Sequence, residues 1–339
     1  MFKKFGQMFG AKPGPDSTPS RQPGREAVSG GKRSLAARAA ARSSTMMPYA
    51  SRSAADGSKV FASPQVAAKL KKVVADNKLH AWYGEKALQE VAARVAHIDM
   101  AELAQRMRLG PEVVFDLVSL ALFDVVFFID DSASMLQEDG SRLEDLKFIL
   151  AKAAEVMTLF DNDGVQIRFI NSGTMGEGIR SADHVNGLIT QIQFVHGTPL
   201  GTNFKSKIVD PLVVEPAKTG QLEKPVLAII ITDGEPTQEA KDMFRAVVIE
   251  AKQALAKTRF GPGALSIQIG QVGTDQQAQA FLESLDNDKT VGNMIDCTSN
   301  YEMECEEFAA KGAELTPELW LLKLCLGAID RGYDETDHK

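Results

Sequence analysis

Cysteine is scarce in this chain of 339 residues, which has only three. Cys297, Cys305 and Cys325 lie 8 and 20 residues apart, so no pair has the close spacing of a zinc knuckle or a redox motif. An odd number of widely spaced cysteines is typical of a reduced cytosolic protein with buried thiols. The composition therefore excludes a disulfide scaffold and predicts a cytoplasmic location.

Long apolar runs are absent as well. No stretch of about 18 apolar residues occurs, so no membrane-spanning helix is expected, and the N-terminus lacks the apolar segment of a secretory signal. The five histidines form no His-x-x-x-His pair, which leaves zinc hydrolysis without support. The Gly-x-x-x-x-Gly-Lys sequence of a P-loop is also missing, which argues against that class of nucleotide enzyme.

The charge of the chain is unevenly distributed, although the net charge is −7. Residues 1–60 contain 11 basic and 3 acidic residues, whereas the rest contains 27 basic and 42 acidic residues. The acidic body argues against binding of nucleic acid. Residues 1–62 are rich in proline, serine and glycine, so we expect them to form a disordered basic tail.

Two segments of this tail suggest where the protein goes. In residues 1–10, MFKKFGQMFG, three phenylalanines share one helical face, which predicts peripheral contact with a membrane. The segment GKRSLAARAAARSS is rich in arginine and serine and poor in acid, as mitochondrial transit peptides are. A solvated tail without a targeting role is the alternative for both segments.

The remainder of the chain predicts three further regions. Residues 63–122 read as short apolar helices separated by glycine or aspartate, and form a helical subdomain. In residues 123–333 strands alternate with helices, which is typical of an α/β domain with a doubly wound, mostly parallel sheet flanked by helices. Residues 334–339 are a short C-terminal tail. Strands are predicted at 124–130, 165–171, 224–232, 264–273 and 292–298, and helices of this domain at 141–160, 182–192, 237–257, 275–286 and 316–330.

Polar side chains follow two of the predicted strands where each strand ends. Asp130, Ser132 and Ser134 alternate after the first strand, and Asp233 follows the strand at 224–232. The loop VHGTPLGTN at 195–203 adds threonines. Because sites of doubly wound folds lie at the carboxyl ends of the strands, these groups are expected to meet. Carboxylates and hydroxyls form an all-oxygen set that suits a hard cation such as Mg²⁺.

Three short motifs in this order, DDSAS, GTPLGT and ITDGEP, resemble the von Willebrand factor A (vWA) domain with its metal-ion-dependent adhesion site (MIDAS). As a whole the chain is similar to the intracellular members found in microbial eukaryotes. The resemblance implies a metal set of Asp130, Ser132, Ser134, Thr198 and Asp233.

The resemblance also implies a function. In this family the hydroxyls bind Mg²⁺ or Mn²⁺, the aspartates act directly or through water, and an Asp or Glu of a partner protein completes the coordination. We therefore expect a cytoplasmic adaptor or scaffold that binds a protein ligand through its carboxylate and that is not an enzyme.

Several positions depart from the family pattern or leave a choice. His196 stands where the family often has a second glycine, Asp131 adds an accessory carboxylate, and Thr202 is the alternative to Thr198. The four glutamates of YEMECEEF at 301–308 predict a solvated helical face. They could also present carboxylates to the metal site of another copy.

An enzyme is the competing interpretation. Phosphatases of the haloacid dehalogenase type also have a strand that ends in aspartate, with a second aspartate two residues later as acid and base. Here that second position is Ser132. A phosphate-processing enzyme dependent on Mg²⁺ is the alternative function.

Taken alone, Asp-x-Ser could also be a simple helix cap.

Overall fold

The computed structural model describes residues 63–161 and 163–334. The predicted tail 1–62, with its phenylalanine and arginine-serine segments, lies outside the described residues, as do residues 335–339.

A six-stranded sheet forms the centre of the described chain. Its order is β3-β2-β1-β4-β5-β6, with β3 antiparallel to β2 and every other pair parallel. This arrangement confirms the predicted α/β class with a mostly parallel sheet. The strands are β1 (Asp124–Ile129), β2 (Val165–Phe169), β3 (Met175–Ile179), β4 (Val226–Thr232), β5 (Leu265–Gln271) and β6 (Ile295–Thr298).

Helices precede the sheet and flank it on both faces. Within the described residues, no helix has both the length and the apolar character needed to span a membrane. The helices are α1 (Ser63–Asp76), α2 (Glu85–Val95), α3 (Met100–Met107), α4 (Pro111–Val114), α5 (Ser141–Met157), α6 (Ala182–Ile189), α7 (Leu200–Phe204), α8 (Glu215–Thr219), α9 (Met243–Leu255), α10 (Gln276–Asp286), α11 (Tyr301–Ala310), α12 (Pro317–Leu326) and α13 (Arg331–Asp334).

The central strands are buried on both faces. Along β1, Phe127 and Ile129 pack into one hydrophobic layer, whereas Val126 and Phe128 pack into the other. Every residue of β4 and β5 is buried. Continuous apolar strands are expected when helices cover both faces of a parallel sheet, and each fully buried Phe or Ile side chain contributes about 1.5–3 kcal/mol.

The order of the strands reverses between β1 and β4, which makes this pair the switch point of the sheet. Their register pairs Ile129 with Ile231, and the amide of Asp130 donates to the carbonyl of Ile231 at 2.9 Å. The residues that follow the two strands therefore leave the sheet side by side.

Some elements differ from the sequence prediction. The edge strand β3 was not predicted, because Met175–Ile179 reads MGEGI and its two glycines weaken the strand pattern. A helix without stated bounds is expected after the loop at 195–203, and the structure has a helical stretch from Leu200 to Thr219 whose π-helical middle, Lys205–Val214, contains Pro211. The helix predicted from residue 237 begins only at Met243.

The helices before the sheet share its core. Leu70 and Leu117 belong to the same buried layer as Phe127 of β1 and Trp320 of α12. The predicted boundary between residues 122 and 123 thus lies inside one continuous hydrophobic core.

The glutamates of α11 are not all on a solvated face, so that prediction is wrong for two of the four. Glu302 and Glu304 are buried, whereas Glu306 and Glu307 are exposed. Lys323 of α12 donates to both carboxylate oxygens of Glu304 at 2.9 and 3.0 Å. The cation that makes this burial tolerable lies 19 residues later in the chain, so the local pattern could not reveal it.

A buried ionic cluster joins the first and last described helices. Lys69 of α1 donates to Asp116 at 2.7 Å and to Asp330 at 2.6 Å, and the hydroxyl of Tyr333 donates to Asp116 at 2.8 Å. The side chains of Lys69, Asp116 and Asp330 are only 14%, 9% and 7% exposed. Loss of the lysine would leave two nearly buried carboxylates without their shared cation.

We predict that Lys69→Met lowers the free energy of unfolding by about 3 kcal/mol, since removal of one charge from a buried ionic cluster takes away the ion pairs that it made with the two carboxylates. Lys72→Met on the same helix is the matched control, because Lys72 pairs with Asp76 at an exposed position and should change stability by less than about 0.5 kcal/mol. Urea denaturation of both variants measures the difference. Equal losses in the two variants would contradict the structural role of the cluster.

Candidate functional site

Asp130 lies directly after β1 and is completely buried. One carboxylate oxygen accepts a hydrogen bond from the amide of Ser132 at 2.9 Å, and the other accepts from the hydroxyl of Thr232 at 2.7 Å. The parallel register explains the second bond, because Asp130 comes one residue after Ile129 and Thr232 one residue after its partner Ile231. The neighbouring strand thus holds the carboxylate in one orientation.

The two serines and the second strand-end aspartate are in direct contact. The hydroxyl oxygens of Ser132 and Ser134 are 2.9 Å apart, and Ser134 donates to Asp233 at 3.0 Å. Four of the five residues predicted as metal ligands are therefore brought together at the switch point.

The loop of Thr198 lies against the loop that follows β1. The amide of Ala133 donates to the carbonyl of His196 at 3.2 Å, and the amide of Val195 donates to the carbonyl of Asp131 at 3.0 Å. Thr198 itself is buried, and its amide donates to the hydroxyl of Thr237 at 2.8 Å. In the described part of the chain, no hydrogen bond joins the Thr198 side chain to Asp130 or Asp233.

Both accessory positions named from the sequence are engaged elsewhere. The carboxylate of Asp131 accepts from the amides of Asn171 and Ser172, each at 2.7 Å, and so caps the end of β2. The hydroxyl of Thr202 donates to Glu239 at 2.8 Å. Of the two threonines, Thr198 is accordingly the one that lies beside the serine loop, and no carboxylate of the described residues bonds to its hydroxyl.

Sequence reasoning missed Arg142, which lies in the first turn of α5 and is only 6% exposed. Its guanidinium bonds to Asp233 and also donates to the carbonyl of Ser134 at 3.3 Å and to Glu138 at 2.7 Å. A cation in the first turn of a helix opposes the helix dipole. This unfavourable position was the one signal in the sequence that the Arg142 side chain has a role outside its own helix.

Burial makes ionisation of Asp130 and Asp233 unfavourable. Burial, together with the neighbouring Asp233, raises the pKa of Asp130 to about 6. Burial also raises the pKa of Asp233, and the Arg142 guanidinium opposes that rise. Neighbouring buried carboxylates with raised pKa values at the carboxyl ends of strands are a common sign of a functional site.

Backbone strain is concentrated around the same loops. Among the described residues, six that are not glycine have positive φ angles, and four of these are Glu138 (55°), Asp139 (54°), His196 (70°) and Gln238 (62°). The first two follow the serine loop, and the others flank the Thr198 loop. Left-handed conformations are costly outside glycine and persist mainly where function requires them.

The chemistry of the side chains fits a hard divalent cation. Two carboxylates and three hydroxyls supply only oxygen donors, which Mg²⁺ and Mn²⁺ prefer. Within residues 63–161 and 163–334, no group of three or more His, Cys, Asp or Glu side chains could hold a metal ion. The candidate set is of a different kind, because hydroxyls make up most of it.

The chain matches no protein-family model and no curated protein. Its function must therefore be inferred from the geometry at the switch point.

We predict that Asp130→Asn stabilises the metal-free protein by about 1–3 kcal/mol at pH 7.5, since a raised pKa means that ionisation of the buried carboxylate opposes folding. Protonated Asp130 stabilises the folded wild type, and this stabilisation is lost as the pH rises through about 6. The advantage of the variant should hence disappear by about pH 4.

Asp131→Asn is the matched control for this prediction. An amide cannot accept from both the Asn171 and Ser172 amides, so the variant should be destabilised by about 1–3 kcal/mol. Denaturation curves in EDTA at several pH values test both changes. A destabilised Asp130→Asn at pH 7.5 would show that the carboxylate serves the fold instead of a ligand.

Proposed function

We propose that this protein is a protein-interaction module of the vWA type that depends on Mg²⁺ or Mn²⁺ and is not an enzyme. The observation that carries the proposal is the contact of Ser132 and Ser134 with each other and of Ser134 with Asp233, next to the buried Asp130, at the switch point. Each residue matches a position of the MIDAS pattern.

The residues suit distinct roles toward an ion. Ser132, Ser134 and Thr198 would supply neutral hydroxyl ligands, and Asp130 and Asp233 would act directly or through water. When bound, the ion would supply an electrophilic position for an external carboxylate, because only two protein ligands are anionic. The bond from Thr232 and the register of β1 with β4 pre-organise Asp130 for this task.

The rim of the site favours a protein ligand. Leu136 is 51% exposed and Val195 is 40% exposed, and they belong to the loops that carry the serines and Thr198. Apolar side chains at these two positions would pack against a protein ligand around the polar centre. The partner would accordingly present an Asp or Glu next to an apolar residue. Among the described residues no disulfide joins Cys297, Cys305 or Cys325, which suits the cytoplasm as the place of this encounter.

We predict that 5 mM MgCl₂ or MnCl₂ raises the melting temperature of the wild type relative to EDTA, since a ligand of the native state stabilises it by mass action. Asp130→Asn should lose this shift. Asp183→Asn, at an exposed position of α6, should keep it. Differential scanning calorimetry of the three proteins measures the shifts. An equal metal-induced shift in Asp130→Asn would rule out the proposed ligand set.

We also predict that capture of a partner protein requires Mg²⁺ and is abolished by EDTA. Leu136→Ser should reduce the capture by about tenfold, as loss of an apolar contact beside the anchoring group of an interface can do, while the affinity for Mg²⁺ is unchanged. Leu159→Ser is the control, because Leu159 is also exposed but lies beyond the far end of α5. Undiminished capture by Leu136→Ser would remove the apolar rim from the proposal. If the wild type hydrolyses phosphate esters and Asp130→Ala does not, the protein is an enzyme and not an interaction module.

A further inference from the structure

Arg142 holds a position among the proposed metal ligands that the vWA pattern does not specify. One end of its guanidinium bonds to Asp233 and to the carbonyl of Ser134. The other end bonds to Glu138, which also accepts from the amide of Thr274 at 3.1 Å. The side chain is therefore fixed at both ends, and its Nε is buried without a hydrogen-bond partner among residues 63–161 and 163–334.

The surrounding backbone is shaped to receive this side chain. Gly273 has a φ of +75°, and a Cβ at that residue would lie 2.4 Å from Nε of Arg142. Asn300 donates to the carbonyl of Gly273 and also caps α11 through the amide of Met303. A side-chain atom on residue 273 would thus displace the guanidinium from Asp233.

The charges of the site show what Arg142 does there. The carboxylates of Asp130 and Asp233 are both buried, and Asp233 helps to raise the pKa of Asp130. Arg142 is the cation that bonds to Asp233 and opposes the rise of its pKa. One oxygen of Asp233 bonds to Arg142 and the other accepts from Ser134. A divalent ion beside Ser134 would share Asp233 with a guanidinium of the same sign, and charges repel strongly in a buried site.

We propose that Arg142 is the resident cation of the site and competes with the divalent ion for Asp233. The inference rests on the proposed function and deepens it, because it assigns a residue that sets the metal affinity. Arg142 holds the metal-free site together and weakens the binding of the ion. A weakly held ion also keeps more of its charge for the carboxylate of the partner.

A purely positioning role makes the opposite prediction. If Arg142 only orients Asp233 toward the ion, its removal would release that carboxylate and weaken metal binding. Competition instead requires that removal of the guanidinium strengthens metal binding. The sign of the change in affinity therefore decides between the two roles.

The test is calorimetric titration of Mg²⁺ and Mn²⁺ into the full chain. Arg142→Gln should bind both ions at least about fivefold more tightly than the wild type, within the usual range of coupling between sites. Its melting temperature in EDTA should fall, because Asp233 loses its cation, and saturating Mg²⁺ should restore it by a larger shift than in the wild type. Arg106→Gln, at an exposed position of α3, should behave as the wild type in both measurements.

A second variant keeps the test decisive if Arg142→Gln does not fold without metal. Arg142→Lys retains the charge but cannot bond to Asp233 and Glu138 at the same time. The metal ion should displace this less firmly held cation from Asp233 more easily, so the affinity for Mg²⁺ should lie above that of the wild type. Unchanged or weaker binding in these variants, with the wild type binding, overturns the competition alone. If the wild type and the variants are all folded and none of them binds Mg²⁺ or Mn²⁺, both the competition and the proposed function are overturned.

Discussion

The pairing of β1 with β4 is the constraint on which the rest of this structure depends. These two parallel strands meet at the point where the order of the sheet reverses, and Ile129 lies opposite Ile231. The register places Asp130 beside Thr232 and brings Asp233 within reach of Ser134. A shift of one residue would turn the side chains of one strand to the opposite face of the sheet, and the oxygen cluster would not form. The hydrophobic layers on both faces protect that register.

The same pairing forces two carboxylates into a buried place, and the surroundings offset only part of the cost. Hydrogen bonds from Ser132 and Thr232 support Asp130, while Arg142 neutralises Asp233. Strained backbone in the adjoining loops adds a further cost. Cores without function rarely retain such costs, because a better-packed apolar alternative is usually at least as stable. The energetic disadvantage is understandable if a cation and a carboxylate from outside the chain complete the site.

Much of this arrangement was predictable from local pattern. The apolar runs of β1 and β4 form buried strands, apart from the partly exposed Asp124 at the start of β1, and each of the two ends in an oxygen-bearing turn. Elements with weak or mixed patterns were missed or left without bounds. The strand β3, which was missed, has two glycines and depends on pairing with β2. The helix after the loop at 195–203 was expected without bounds, and its π-helical segment with Pro211 gives no regular helical pattern. The loop before Met243 reads as helix, yet Glu239 is held there by the amides of Gly201 and Thr202.

The sequence by itself determined the alternation of strands and helices and the oxygen-rich residues at two strand ends, because burial and turn chemistry are local properties. Only the tertiary structure decided how those residues are used. It turned Asp131 toward β2 and Thr202 toward Glu239, and it buried Glu304 against Lys323. It also brought Arg142 to Asp233, 91 residues away. Such pairings depend on which charges the fold places face to face, and no short window of the sequence contains both partners.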